Sequence, residues 1–181
     1  DSLSITPLSR LTSCTRYSVS VTDSLQNRYG VTGSSAWTFS FRTICQQTFS
    51  IGASVQGTSI AAYKFGNGPK LAVFVGGTHG DEKSSILTMQ ALVDELEQKY
   101  DSIPSTLTVV VIPVLNPDGY ARSKRTNANT IDLNRNFPSN DWTSSVYLPN
   151  NVLLENGGGL QPLSEPESVA LSNYIQSARP N

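Results

Sequence analysis

Two short, almost unbroken apolar runs, Lys70–Val75 and Leu107–Leu115, each open directly into a polar turn. No other feature of the chain restricts its fold as much. Strands of that composition belong to a sheet covered on both faces. Between them Ile86, Met89, Leu92, Val93, Leu96 and Tyr100 recur at helical spacing, and Pro104 closes the connection. Upstream, Phe49–Val55 and Ile60–Phe65 read as two further strands joined at Gln56-Gly57. Downstream, Ser164-Glu165-Pro166-Glu167 has the form of a capping box, and a helix is expected to run through Leu171, Tyr174 and Ile175 to Ala178. The long polar stretch between Tyr120 and Leu163 is expected to contribute little core. From Gln47 onward the pattern is α/β.

The first 45 residues follow another rule. Tyr17, Val19 and Val21 alternate with Ser18 and Ser20, and Trp37, Phe39 and Phe41 alternate with Thr38 and Ser40. Period-two alternation marks strands with one buried face. The connection, Asp23 to Ser35, is polar and contains Gly30 and Gly33, so the pair reads as an antiparallel hairpin. Two strands cannot bury an independent core. The stretch Leu8–Thr43, ending in Trp37-Thr38-Phe39-Ser40-Phe41-Arg42-Thr43, resembles the closing strands of bacterial immunoglobulin-like repeats, and a plain hairpin packed on the next domain is the other reading. With Val19 opposite Phe39, Cys14 falls beside Ile44 and Cys45 points to the other face. A regular cross-strand disulfide is then disfavoured, unless a bulge or fray at the hairpin base lets the two sulfurs meet.

Charge narrows the functional classes. Thirteen Lys and Arg stand against fourteen Asp and Glu, for a formal net charge of -1. That balance argues against the clustered positive surface that nucleic-acid binding needs, and no polybasic tail is present to hold acidic lipid. The apolar runs fall far short of the roughly 20 residues of a membrane-spanning helix. Charged residues make up only 15%, against about a quarter in ordinary soluble domains, while Ser, Thr and Asn are abundant. This favours an extracytoplasmic (periplasmic or secreted) setting, with which the two cysteines are compatible.

The only histidine, His79, lies in Gly76-Gly77-Thr78-His79-Gly80-Asp81-Glu82, just past the carboxyl end of an apolar strand. In open α/β sheets ligands bind at that edge. An imidazole and a carboxylate three residues apart across a short turn can face one metal ion, and zinc accepts nitrogen and oxygen donors. The turn Asn116-Pro117-Asp118-Gly119 follows the next central strand and so lies on the same edge. Beyond it, Arg125 to Pro138 gathers two arginines and several amides, suited to a polar ligand; Arg in particular matches a carboxylate with its planar fork.

Taken together, Gly76–Glu82, Asn116–Gly119 and Asp132-Leu133-Asn134-Arg135-Asn136-Phe137 resemble the zinc metallocarboxypeptidases, most closely the bacterial branch that includes the murein peptide amidases. The resemblance spans about Gln47 to Ala178. It implies a mixed α/β sheet with helices on both faces, preceded by a partial all-β sandwich module. The expected division is 1–45 for that module and 46–181 for the amino-terminal part of the catalytic domain. It further implies that His79 and Glu82 are ligands of one zinc ion, that Asp132 accepts the second imidazole N–H of His79, that Arg125 polarises the scissile carbonyl, and that Asn134 and Arg135 hold a substrate carboxylate. The substrate would be a peptide or a peptidoglycan peptide.

The family takes a second histidine as third zinc ligand, and a general-base glutamate, from strands after the last helix. Neither has a counterpart here, and Glu155, Glu165 and Glu167 do not match the missing base. The expectation is a chain cut at both ends and inactive alone. Two rival readings remain: a deacylase of the aspartoacylase type, which shares a similar His-x-x-Glu turn, and a non-catalytic adhesion or binding module.

Overall fold

The computed structural model describes residues 5–26, 29–33, 35–149 and 151–178. The chain divides into two compact units, Asp1–Gln46 and Gln47–Asn181.

In the first unit, β1 (Arg16–Val21) pairs antiparallel with β2 (Trp37–Arg42), and Val19 lies opposite Phe39 as the alternation requires. Part of the expected connection, residues 27, 28 and 34, lies outside the described residues. One face of the hairpin carries an aromatic row: the rings of Trp37 and Phe39 stack at 5.4 Å, Phe39 and Phe41 at 6.4 Å, and Tyr17 and Phe41 at 5.8 Å. Trp37, Phe39 and Phe41 nevertheless stay exposed, so the hairpin covers no core of its own. Cys14 lies beside Ile44, donating its N–H to the Ile44 carbonyl at 3.1 Å, as the register predicts. Cys14 and Cys45 are bonded all the same. The reason is local: Cys14 sits at φ 52°, in the left-handed region, and this departure from strand geometry turns its side chain toward Cys45.

The second unit is built on a four-stranded mixed sheet. Strands β3 (Gln47–Ala53), β4 (Ser59–Phe65), β5 (Lys70–Val75) and β6 (Leu107–Ile112) lie in the order β3-β4-β6-β5, with β5 and β6 parallel and the other pairs antiparallel. Helix α1 (Lys83–Gln98) links β5 to β6, a short helix α2 (Pro117–Ala121) follows β6, a two-residue pair β7 (Val146–Tyr147) and β8 (Leu153–Leu154) pins the polar stretch, and α3 (Pro166–Ala178) closes the unit.

Strand alternation sorts the core. Ile60, Ala62, Val110 and Ile112 face one side with Ala170 and Leu171 of α3. Phe65, Val109 and Val111 face the other with Val93, Met89 and Leu92 of α1. Helices therefore cover both faces, as expected for this class. The structure departs from expectation at β5, which has a neighbour on one side only among the described residues and leaves Phe74 43% exposed. The polar stretch is also more deeply placed than its composition suggests. Leu133 is fully buried in the α3-side core, and Asn127 and Asn136 are buried beside it. The capping box does not form in the expected way. Ser164 Oγ donates to Glu165 Oε1 at 2.8 Å and accepts from Asn136, while Glu167 accepts from Val55 N and Asn127.

Candidate active site

Because β5 and β6 are parallel, their carboxyl ends emerge together. The backbone ladder continues past both strands: Gly76 N–H donates to Ile112 O, Leu115 N–H to Gly76 O and Asn116 N–H to Gly77 O, at 2.8–3.0 Å. The two turns then approach until only glycine fits. A Cβ on Gly80 would lie 2.0 Å from the carbonyl carbon of Gly119. Asn116, fully buried, spans them: its side chain accepts from Gly119 N–H at 2.8 Å and donates to Thr78 O and Arg125 O at 3.4 and 3.3 Å.

On this frame stands a cluster of four side chains. His79 Nδ1 is 2.9 Å from Glu82 Oε1, and its Nε2 is 3.0 Å from Asp132 Oδ1. Asp132 Oδ2 accepts from Arg125 Nε at 2.9 Å, and Arg125 Nη1 reaches Glu82 Oε1 at 3.4 Å. Asp132 Oδ1 accepts in addition from Asn134 N–H at 3.0 Å. One buried carboxylate thus orients both the imidazole and the guanidinium. Glu82 occupies the N-cap position of α1 but makes no capping bond. Its carboxylate is spent on His79 and Arg125, a cost to the helix of about 1 kcal/mol that marks the residue as placed for something else.

The electrostatics follow from this geometry. Burial, the largest influence on His79, disfavours the imidazolium, yet the hydrogen bond and charge of Asp132 outweigh it and raise the pKa. Burial likewise opposes ionisation of Asp132, but His79 and Arg125 bring its pKa below the usual carboxylate value. Asp132 is therefore an anion across the neutral range and accepts the Nε2 proton, while a proton on Nδ1 makes the 2.9 Å bond to Glu82 Oε1; a cation held by both groups would displace that proton.

Sequence reasoning brought His79, Glu82, Asp132 and Arg125 to one point, and the fold puts them there. Asn134 and Arg135, on a single 3-10 turn (Leu133–Arg135), stand beside them, exposed. What the motifs did not mark is the support beneath. Asn127 Nδ2 donates to Glu165 Oε2 at 2.7 Å and Glu167 Oε2 at 3.1 Å, while its Oδ1 takes the N–H groups of Asn129 and Ile131. Asn136 ties Gly158 O, Ser164 Oγ and Glu165 N in the same way. These amides satisfy backbone that would otherwise be orphaned in the interior, which is why so polar a loop can lie so deep.

His79 and Glu82 suit a divalent cation in donor type and in mutual orientation. Among the described residues no group of three or more His, Cys, Asp or Glu could hold one, and catalytic zinc takes three protein ligands.

Comparison with known proteins agrees with the architecture. Murein peptide amidase A of Escherichia coli K12 is 38% identical over 114 residues, covering 60% of this chain and 45% of that protein. The crystal structure of murein-tripeptide amidase MpaA from Escherichia coli O157 superposes with a TM-score of 0.57 at 32% identity, over 74% of this chain and 56% of that one. Bovine thrombin-activatable fibrinolysis inhibitor shares the fold, with a TM-score of 0.62 at 23% identity over 74% of this chain and 49% of that one. The chain thus spans about half the length of these relatives. The sequence pattern of one family, described as zinc carboxypeptidase, matches residues 42–181, which contain every residue of the cluster, and the chain belongs to that family.

Proposed function

We propose that the protein carrying these residues is a zinc-dependent peptidase of carboxypeptidase type, and that a murein-type peptide is among its substrates. One observation carries the reading: His79 turns one ring nitrogen to Glu82 while Asp132 holds the other and also holds Arg125. His79 Nδ1 and a Glu82 oxygen would be the zinc ligands from this chain. Zinc so held lowers the pKa of bound water and polarises a carbonyl oxygen. Asp132 fixes the imidazole tautomer and strengthens its donor nitrogen. Arg125, with two of its five N–H groups engaged by carboxylates, keeps the others for the charge that develops on the substrate carbonyl oxygen. Asn134 and Arg135 hold the substrate carboxylate, supported by their exposure and by the absence of any acidic partner for Arg135 among the described residues.

With two donors in place of three, this chain alone is expected to hold zinc weakly and to turn over no peptide. The Cys14–Cys45 bond supports an extracytoplasmic setting. The exposed aromatic row supports reading residues 1–45 as part of an immunoglobulin-like module.

The test is a zinc titration followed by NMR of the His79 ring. The expected result is a zinc-dependent shift at His79 and Glu82 that His79→Ala and Glu82→Ala each remove. Zinc binding that ignores both substitutions refutes the proposal.

A further inference from the structure

Arg125 and Asp132 stand seven residues apart, yet their side chains meet at 2.9 Å. The chain between them closes on one residue. Asn127 N–H donates to Ile131 O at 2.9 Å, and Thr130 N–H to Asn127 O at 3.1 Å. The Asn127 side chain adds a second clasp, its Oδ1 accepting from Asn129 N–H and Ile131 N–H at 3.0 and 3.1 Å. Its Nδ2 reaches across to the start of α3, donating to Glu165 Oε2 at 2.7 Å and Glu167 Oε2 at 3.1 Å. Asn127 is 1% exposed, and both glutamates are buried with it. Two acceptor sites and two donors are all that an amide side chain has, and here all are used. Aspartate offers the acceptors without the donors, and an apolar side chain of that shape offers neither.

We infer that Asn127 is a positioning residue for the proposed reaction: it sets the distance between Arg125 and Asp132 and ties both to α3. The inference rests on the proposed roles of those two residues. Asn116 Nδ2 donates to the Arg125 carbonyl at 3.3 Å, and Asp132 N–H donates to Gly157 O at 2.8 Å. Those bonds fix each backbone to a different neighbour, whereas the 127–131 clasp fixes one to the other. Among the described residues no hydrogen bond links Asn127 to His79 or Glu82, so its influence on them passes through Asp132. With the clasp open, the span regains conformational freedom. Asp132 then no longer serves His79 Nε2 and Arg125 Nε together, and the imidazole loses the partner that orients it toward a cation.

The experiment compares the whole chain with its Asn127→Ala and Asn127→Ser variants, under conditions where amide spectra show the second unit folded. NMR follows Arg125 Nε–H and His79 Nε2–H, and a zinc titration gives the affinity. Asn127→Ala should shift and broaden both side-chain signals and weaken zinc about tenfold. In Asn127→Ser the hydroxyl still accepts from the N–H two residues on, and both readouts should fall between wild type and Asn127→Ala. Should Asn127→Ala fail to fold, Asn127→Ser carries the test alone. A folded variant that lowers the urea midpoint yet leaves both signals and zinc affinity unchanged overturns the inference, because an amide that only supports the fold would behave so. In that case the proposed function stands, provided that zinc shifts His79 in the wild-type chain. If zinc leaves wild-type His79 unmoved, the proposed function fails and the inference falls with it.

Discussion

Replacing Asp132 by Asn keeps the shape of the side chain and removes its charge, which isolates what that carboxylate does. Asp132 is 1% exposed and accepts from three donors: His79 Nε2, Arg125 Nε and Asn134 N–H. An amide has one oxygen. In one orientation its NH2 faces the Arg125 N–H, and in the other it faces His79 and Asn134, so at least one donor is stranded either way. Hydrogen bonds to charged groups contribute about 1.5–3 kcal/mol each, and removing one partner of a buried pair costs about 3–5 kcal/mol. Arg125 is partly solvated, at 18% side-chain exposure, so the lower end applies and the expected loss is about 3 kcal/mol. Because the chain has two units, the assay must watch one of them. In a Trp37→Phe background, Trp142 fluorescence during urea unfolding reports on the second unit alone. Zinc affinity should fall about 10–100-fold in the same protein. A loss below about 0.5 kcal/mol, within the range of ordinary surface substitutions, together with unchanged zinc affinity, would refute the claim that one carboxylate organises the cluster.

Gly80→Ala places a methyl group 2.0 Å from Gly119 C and 2.2 Å from Tyr120 N, both backbone atoms that cannot yield. It should cost at least about 1–3 kcal/mol in the same Trp142 assay, and an unchanged urea midpoint would contradict the packing. Glu167 supplies a pH test. Burial raises its pKa above the usual 4.5, so between 4.5 and the folded value the native state binds more protons than the unfolded state. Stability from this group therefore falls as pH rises through that window. Glu167→Gln, which keeps the acceptor for Val55 N–H, should gain stability relative to wild type as pH rises from 4.5 to neutrality. A difference that stays flat with pH would show that Glu167 ionises freely in the fold.

What the sequence revealed, and what it concealed, divides along physical lines. Period-two alternation suffices to set Val19 against Phe39, because a slip by one residue would turn every aromatic over. The parallel pair β5 and β6 was legible from two apolar runs around one helix, and with it the shared edge where His79 and Asn116 meet. The link between Asp132 and His79 came through family resemblance, since a separation of 53 residues carries no local signal. The Cys14–Cys45 bond was obscured because it depends on one positive φ that no residue pattern announces. Leu133 lay hidden for another reason. Composition averages over a loop, whereas burial is decided residue by residue, wherever an amide such as Asn127 or Asn136 can take over the duties of water. The N-terminal turn of α2 looked like an open turn because Pro117, Asp118 and Gly119 are turn formers, yet the Asn116 side chain caps it into a helix.

The contact of Gly80 with Gly119 carries a mechanical consequence. Two loops whose main chains touch without side chains between them cannot shift independently, so the platform under His79 behaves as one stiff piece. Any adaptation to ligands of different size must then arise outside these two turns. Attempts to reshape preference by diversification should leave residues 76–80 and 116–119 alone and spend their variation there.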